Sequence, residues 1–147
     1  MSWIRRIAAF VLAVVVASVL ASALSTQFVL QGLIDLGIEI SAFDRLYATG
    51  HDIVGMAPIF GGIVAIGFLI ALPTAALVIR FLPGVRTLGY VLAGGLALAV
   101  ALLSIEGFLG MMPVAGARTF GGLLAQGIAG AVGGYVFARY VRRPQAD

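Results

Sequence analysis

The sequence predicts an all-α integral membrane protein, a bundle of four antiparallel transmembrane helices with a short amphipathic interfacial segment between helices 1 and 2. Two observations predict this class. Of the 147 residues, 62% are hydrophobic and only 10% are charged, whereas an ordinary soluble domain is about 25% charged. Four stretches without charged residues also reach the roughly 17–25 residues that a helix needs to cross a bilayer. These stretches are 7–34, 53–79, 87–105 and 119–138.

The four stretches are continuously apolar, which favours helices over the strands of a membrane β-barrel, where apolar and polar residues alternate over about ten positions. The predicted spans are about 7–30, 55–79, 87–109 and 119–140, and they form one transmembrane domain over residues 1–147. The lipid bilayer is therefore the first expected partner of the chain.

The first span follows Arg6 and becomes polar at Ser25-Thr26-Gln27. A basic start, an apolar run and the small residues Ala21-Ser22-Ala23 also resemble a cleavable signal peptide. The apolar run continues past Ala23 through Leu30, which is too long for the core of a signal peptide. We therefore expect a retained helix.

The segment from about residue 31 to residue 52 mixes aliphatic side chains with acids and is amphipathic, so we expect it to lie on the outer membrane surface. Ser41 followed by Asp44 has the form of a capping box that begins a helix, and Gly50 suits the helix end. These residues predict a separate interfacial helix of one or two turns.

The second span is expected to begin near Pro58, which suits a first helical turn, and to kink at Pro73. Proline at position 73 frees a backbone carbonyl, for which the neighbouring Thr74 is the expected new partner. Pro83-Gly84 predicts a type II turn with a positive φ at the glycine, which would join the second and third spans as a hairpin. The link from 110 to 118, with Pro113 and Gly116, is expected to be similarly tight.

Small residues at a spacing of four predict where the helices approach each other, because van der Waals contact between backbones replaces the hydrophobic driving force in lipid. The fourth span carries two such rows side by side, which make a broad flat face. The two rows are favoured as packing surfaces within one chain, and an interface between subunits of a homo-oligomer is the alternative. Their glycines are Gly121, Gly122, Gly130, Gly133 and Gly134.

Polar residues of all four spans are predicted to meet at the outer end of the bundle. A carboxylate in an apolar span is costly and usually faces a partner or a cavity, which makes Glu106 the most informative of them. An ion pair between Glu106 and Arg118 is favoured, and a ligand or proton site is the alternative. The candidate cluster comprises Gln27, His51, Asp52, Glu106, Arg118 and Gln126.

The sequence gives little support for a catalytic site or a metal site. The chain has no cysteine, which excludes disulfides and thiolate ligands. His51, Met56 and the pair Met111-Met112 offer imidazole and thioether ligands that suit copper, but one histidine provides no ligand spacing. A nucleophile with an adjacent base and a glycine loop for phosphate are also missing from the sequence. We therefore expect no metal, no cofactor and no catalytic residue.

The arginines predict the topology. Cytoplasmic loops are rich in Arg and Lys, and seven of the nine arginines are expected on one side of the membrane, so both termini are predicted to be cytoplasmic. Scattered single or paired arginines do not form a nucleic-acid surface. The absence of Lys, together with many Ala and Gly residues, favours a bacterial inner membrane protein. The seven are Arg5, Arg6, Arg80, Arg86, Arg139, Arg142 and Arg143, and the other two are Arg45 and Arg118.

Three classes of function remain open at this point. The favoured one is a small protein that acts by helix–helix interaction, as an accessory, scaffold or oligomeric subunit, with itself or another membrane protein as partner. A transporter or channel subunit would need polar residues that continue to the inner face, and the sequence has few there. An outer-leaflet enzyme acting on a lipid or quinone would use Glu106 or His51 as acid or base.

The topology can be tested with single cysteines, because the natural chain has none. In intact cells, Ser2→Cys and Gln145→Cys should not react with an impermeant thiol reagent, whereas Thr49→Cys should react, since only the latter lies on the predicted outer side. Labelling of either terminal cysteine from outside would contradict the assignment.

Overall fold

The computed structural model describes residues 3–112 and 114–141, and it confirms the predicted bundle of four helices. Each helix is long and apolar enough to cross a membrane. Pro113, Arg142 and Arg143, on which part of the sequence interpretation rests, lie outside the described residues. The helices are α1 (Trp3–Asp35), α2 (Ala42–Ile79), α3 (Arg86–Leu109) and α4 (Phe120–Val141), with short 3-10 helices at Pro83–Val85 and Ala115–Ala117.

The helices run alternately up and down, each packs against the next in the chain, and α4 closes the ring against α1. Few large side chains fill the centre, because small residues on α1 and α4 allow the helices to approach closely. The most deeply buried large apolar residues come from α2 and α3, and they are Phe60, Val64, Phe68, Leu98 and Leu102.

The prediction of a separate interfacial helix is wrong. Ser41 is indeed an N-cap, since the backbone N–H of Asp44 donates to its Oγ at 3.1 Å. The helix that begins there is α2 itself, which continues through Gly50 and Pro58 to Ile79. Gly50 keeps a negative φ and does not end the helix. A proline within a helix removes only one hydrogen bond, so Pro58 does not end it either.

Two details of the turns also differ from the prediction. Gly84 has no positive φ, because residues 83–85 form a 3-10 turn in which the Val85 N–H donates to the Leu82 carbonyl. Thr74 does not bond the Leu69 carbonyl that Pro73 leaves free; its Oγ1 donates to the Ile70 carbonyl at 2.7 Å. The carbonyl four residues earlier is the usual acceptor for a threonine in a helix.

α1 and α2 are much longer than the other two helices. At 1.5 Å per residue, their 33 and 38 residues make about 50 and 57 Å, against about 36 and 33 Å for α3 and α4. The link between α3 and α4 lies against α1 at Ser25, and Gly121 at the start of α4 is near Phe28. Residues 26–35 of α1 and 42–52 of α2 form this end of the α1/α2 pair. We call it the outer projection, after the side of the membrane on which the sequence predicts it to lie.

The glycines of α4 allow its backbone to touch two neighbours. A methyl group added at Gly130 would collide with the Gly94 carbonyl of α3, and one added at Gly134 with the Tyr90 carbonyl. A methyl group at Gly133 would lie 2.8 Å from Ala17 Cβ of α1. Both neighbours of α4 therefore approach it at positions where a side chain does not fit.

The other two glycines of the predicted rows lie near the start of α4 and differ from each other. Gly122 is buried, and a methyl group there would collide with the carbonyl of Gly116. Gly121 is exposed, and its added methyl group would make ordinary contact with Phe28 at 3.4 Å. Gly121 therefore tolerates a side chain that Gly122 does not.

The contact between α3 and α4 can be tested with Gly130→Ala, because the added methyl group would push the two backbones apart. We expect this change to lower the free energy of unfolding by about 1–3 kcal/mol, the usual cost of overpacking. Thermal unfolding of the detergent-purified protein, followed by circular dichroism, measures the effect.

Gly127→Ala is the matched control on the same helix, since the nearest atom to its added methyl group would be the Gly95 carbonyl oxygen at 3.7 Å. Alanine also favours a helix over glycine by about 1 kcal/mol, so this variant should be as stable as the natural protein or more so. Equal losses in the two variants would contradict the proposed role of Gly130.

Candidate functional site

The outer projection holds a network of hydrogen bonds between α1 and α2. Thr26 Oγ1 lies 2.8 Å from Asp52 Oδ2 and 3.0 Å from the Ser22 carbonyl. One turn further out, Gln27 Nε2 donates to Thr49 Oγ1 at 2.8 Å. The same glutamine side chain accepts from Arg45 Nη1 at 3.4 Å. Polar groups therefore join α1 and α2 within the outer projection.

The helical repeat explains how these residues come together. Arg45, Thr49 and Asp52 are separated by four and three residues, so they share one face of α2. Thr49 Oγ1 also donates to the Arg45 carbonyl at 2.7 Å, which orients the hydroxyl for Gln27. Hydrogen bonds to the charged groups, Arg45 and Asp52, are stronger than those between neutral partners.

His51 lies outside this network. Its Nδ1 is 3.8 Å from Asp52 Oδ1, and its side chain is 74% exposed. The ring stacks on Tyr47, with 6.3 Å between ring centroids. Among the described residues, no group of three or more His, Cys, Asp or Glu side chains could hold a metal ion.

Gln126 belongs to a different place, inside the bundle. The side chain is fully buried, and its Nε2 donates to the Ala21 carbonyl of α1 at 3.1 Å. Its Oε1 and the nearby Ser22 Oγ have no hydrogen-bond partner in the described part of the chain. An unpartnered polar atom inside a protein costs free energy, so Gln126 is a costly residue at this position.

Glu106 and Arg118 do not form the predicted ion pair. Within residues 3–112 and 114–141, the one contact described within 4.0 Å between a basic and an acidic side chain is that of His51 with Asp52. Glu106 is half-buried near the end of α3, and Arg118 is exposed. Their positions near the ends of two consecutive spans predicted an ion pair, but a shared end of the bundle does not by itself bring two side chains together.

The structure thus divides the six predicted residues among three places. Gln27 and Asp52 belong to the network of the outer projection, with His51 at its edge; Gln126 lies in the core; and Glu106 and Arg118 lie apart from both. Sequence analysis missed Thr26, Arg45 and Thr49 as members of the network. The spacing of positions 45, 49 and 52 could have indicated them, had α2 been predicted to start at residue 42.

Comparisons with models of protein families, with curated proteins and with solved structures give no match to this chain. Its function must therefore be inferred from its own residues and their geometry.

The network can be tested by a double-mutant cycle on Thr26→Val and Asp52→Ala, with thermal unfolding in detergent as the measurement. Each single change removes the hydrogen bond between Thr26 and Asp52. The double change should therefore lower the free energy of unfolding by less than the sum of the two single losses. We expect a coupling on the order of 1 kcal/mol.

Glu106→Gln and Arg118→Gln form the control cycle, because these two charges share the outer end but make no contact with each other. Their effects on stability should add. Additive effects in the first cycle, or strong coupling in the second, would contradict the contacts described here.

Proposed function

We propose that this chain is a multi-pass protein of the bacterial inner membrane, with both termini in the cytoplasm, and that it acts by helix–helix association as an oligomeric, scaffold or accessory subunit. The uneven distribution of arginines supports the orientation. The outward faces of the helices support the membrane location, because they carry large apolar residues along their whole length. Leaving so much apolar surface in water would be unfavourable.

The observation that carries the proposal is a long apolar groove on the outside of the bundle, between α2 and α3. The groove has a volume of about 620 Å³ and runs from Val85, just before α3, to Ser104 of α3, which is about 28 Å at 1.5 Å per residue. That length is close to the roughly 30 Å thickness of the hydrocarbon core of a bilayer. A long groove of this kind matches a helix better than a compact ligand.

Small residues from both helices line the groove, and large aliphatic residues stand beside them. On α3, Ala93 and Ala97 lie in the groove, while Leu92 and Leu96 are more than half exposed. Small residues allow a neighbouring helix to approach closely, and this contact is a main source of helix association in lipid. The small residues of the groove are Gly67, Ala71, Ala75, Gly89, Ala93, Ala97 and Ala101.

A second copy of this chain is the proposed occupant. The exposed leucines of α3 form a ridge directly beside the small residues of the groove. Two copies related by a twofold axis along the membrane normal can each place this ridge in the groove of the other. Such a self-complementary patch is what a twofold interface requires.

The proposal is tested by filling the groove with Thr74→Trp. Thr74 is exposed and lies midway along the groove, so an indole there should prevent a helix from docking without entering the core of the bundle. The purified natural protein should be dimeric by light scattering in a mild detergent, and by counting subunits in liposomes. The variant should be monomeric in both.

Ile128→Trp is the matched control, since Ile128 is more than half exposed on α4 and does not line the groove. This variant should remain dimeric. A monomeric natural protein, or a dimer that Thr74→Trp leaves intact, would contradict association through the α2/α3 groove.

A further inference from the structure

The end of the bundle opposite the outer projection contains a cleft that the association proposal does not use. The cleft has a volume of about 610 Å³, within the roughly 300–1,000 Å³ that is typical of small-molecule sites. All four helices contribute to its walls, through the first turns of α1 and α3, the second half of α2 and the last turn of α4. We call it the inner cleft.

The deep part of the inner cleft is apolar and aromatic. Phe68 and Leu72 of α2 and Tyr90 of α3 are buried in its wall, and Phe137 of α4 packs edge-on against Tyr90 with 5.2 Å between ring centroids. Phe10 of α1 completes this part. Such a surface binds hydrocarbon better than a free, hydrated ion.

The cleft also opens sideways, between α1 and α2. Its edges there are Ile7 on one helix and Leu69 on the other, which are 59% and 61% exposed, together with the exposed Pro73. In a membrane these residues would face acyl chains. A ligand can therefore enter the cleft from the bilayer without crossing water.

Two arginines, Arg6 and Arg86, line the same cleft. They come from the first turn of α1 and the first residue of α3, and helix N-termini carry partial positive charge that also favours anions. The acidic residues that the structure describes lie on the outer projection, in the loop between α1 and α2, or near the outer end of α3, and they are Asp35, Glu39, Asp44, Asp52 and Glu106. The charged side of this cleft therefore selects for an anion.

The size of the cleft argues against a transmembrane helix as the occupant. Along α2 it extends only from Phe68 to Ala76, about 12 Å at 1.5 Å per residue. The hydrocarbon of one leaflet is about 15 Å thick, half of the bilayer core. The depth therefore matches the acyl chain of a lipid in one leaflet.

We propose that the inner cleft binds an anionic phospholipid from the adjacent leaflet, with its phosphate at Arg6 and Arg86 and an acyl chain against Phe68, Tyr90 and Phe137. Basic pockets between transmembrane helices are the usual form of such sites on the cytoplasmic side. This site is separate from the α2/α3 groove, so lipid binding does not depend on association between copies.

Trp3 provides a direct readout, because it is the only tryptophan and it lines the cleft. The full chain is placed in nanodiscs of phosphatidylcholine that contain a minor fraction of either phosphatidylglycerol or phosphatidylcholine with brominated acyl chains. Bromine quenches tryptophan fluorescence on contact. We expect the anionic brominated lipid to quench Trp3 at a much lower mole fraction than the neutral one.

The double variant Arg6→Gln/Arg86→Gln should reduce this preference roughly 30-fold, since each basic residue near an anionic surface contributes about 1 kcal/mol. Its control is Arg80→Gln/Arg139→Gln, which removes the same charge from exposed positions at the same end, outside the cleft. The control should keep the preference. Equal losses in the two double variants would show diffuse surface attraction and overturn the proposal.

A second pair of variants tests the apolar part and does not change the charge. Ala76→Phe places a ring at the side opening and should abolish the preferential quenching, while Ala42→Phe, at an exposed position on the outer projection, should not. Displacement of the lipid by millimolar inorganic phosphate, or equal quenching by both lipids in the natural protein, would overturn the proposal. The oligomeric state of these variants is measured separately, so failure of the dimer leaves this result interpretable.

Discussion

Close contact between the backbone of α4 and those of α1 and α3 is the constraint on which the rest of the fold depends. Gly130 and Gly134 meet carbonyl groups of α3, and Gly133 meets Ala13 and Ala17 of α1. In a bilayer, apolar side chains would gain little by leaving lipid for one another, so such contact would provide much of the packing energy. Through these contacts, α4 closes the ring of helices.

The two ends of the bundle are packed differently. At the outer end, Gly116 allows the link between α3 and α4 to lie directly on Ser25, and polar side chains join α1 to α2. At the opposite end, Phe68, Tyr90 and Phe137 line the inner cleft, although Gly134 keeps α4 in close contact with the backbone of Tyr90.

The two proposed binding surfaces differ in length and in the residues that line them. The α2/α3 groove is long, lined by small residues and located on the outside, which suits another helix. The inner cleft is short, aromatic and bordered by Arg6 and Arg86, which suits an amphiphile with a negative head group. Gln126 belongs to neither surface. Its Oε1 has no hydrogen-bond partner among the described residues, which lowers stability, and the packing of the core does not explain why a glutamine lies there.

The four apolar helices, the N-cap at Ser41 and the abundance of small residues could be predicted from the sequence, because length, hydropathy and local hydrogen bonding fix these features. The start of α2 could not, and which residues meet is evident only from the tertiary structure. Glu106 and Arg118 share an end of the bundle without contact, whereas Thr26 reaches Asp52 across 26 positions. Arg6 and Arg86, distant in sequence and interpreted as topology signals, line one cleft. Such contacts depend on how the helices rotate and slide against each other, which local sequence patterns do not specify.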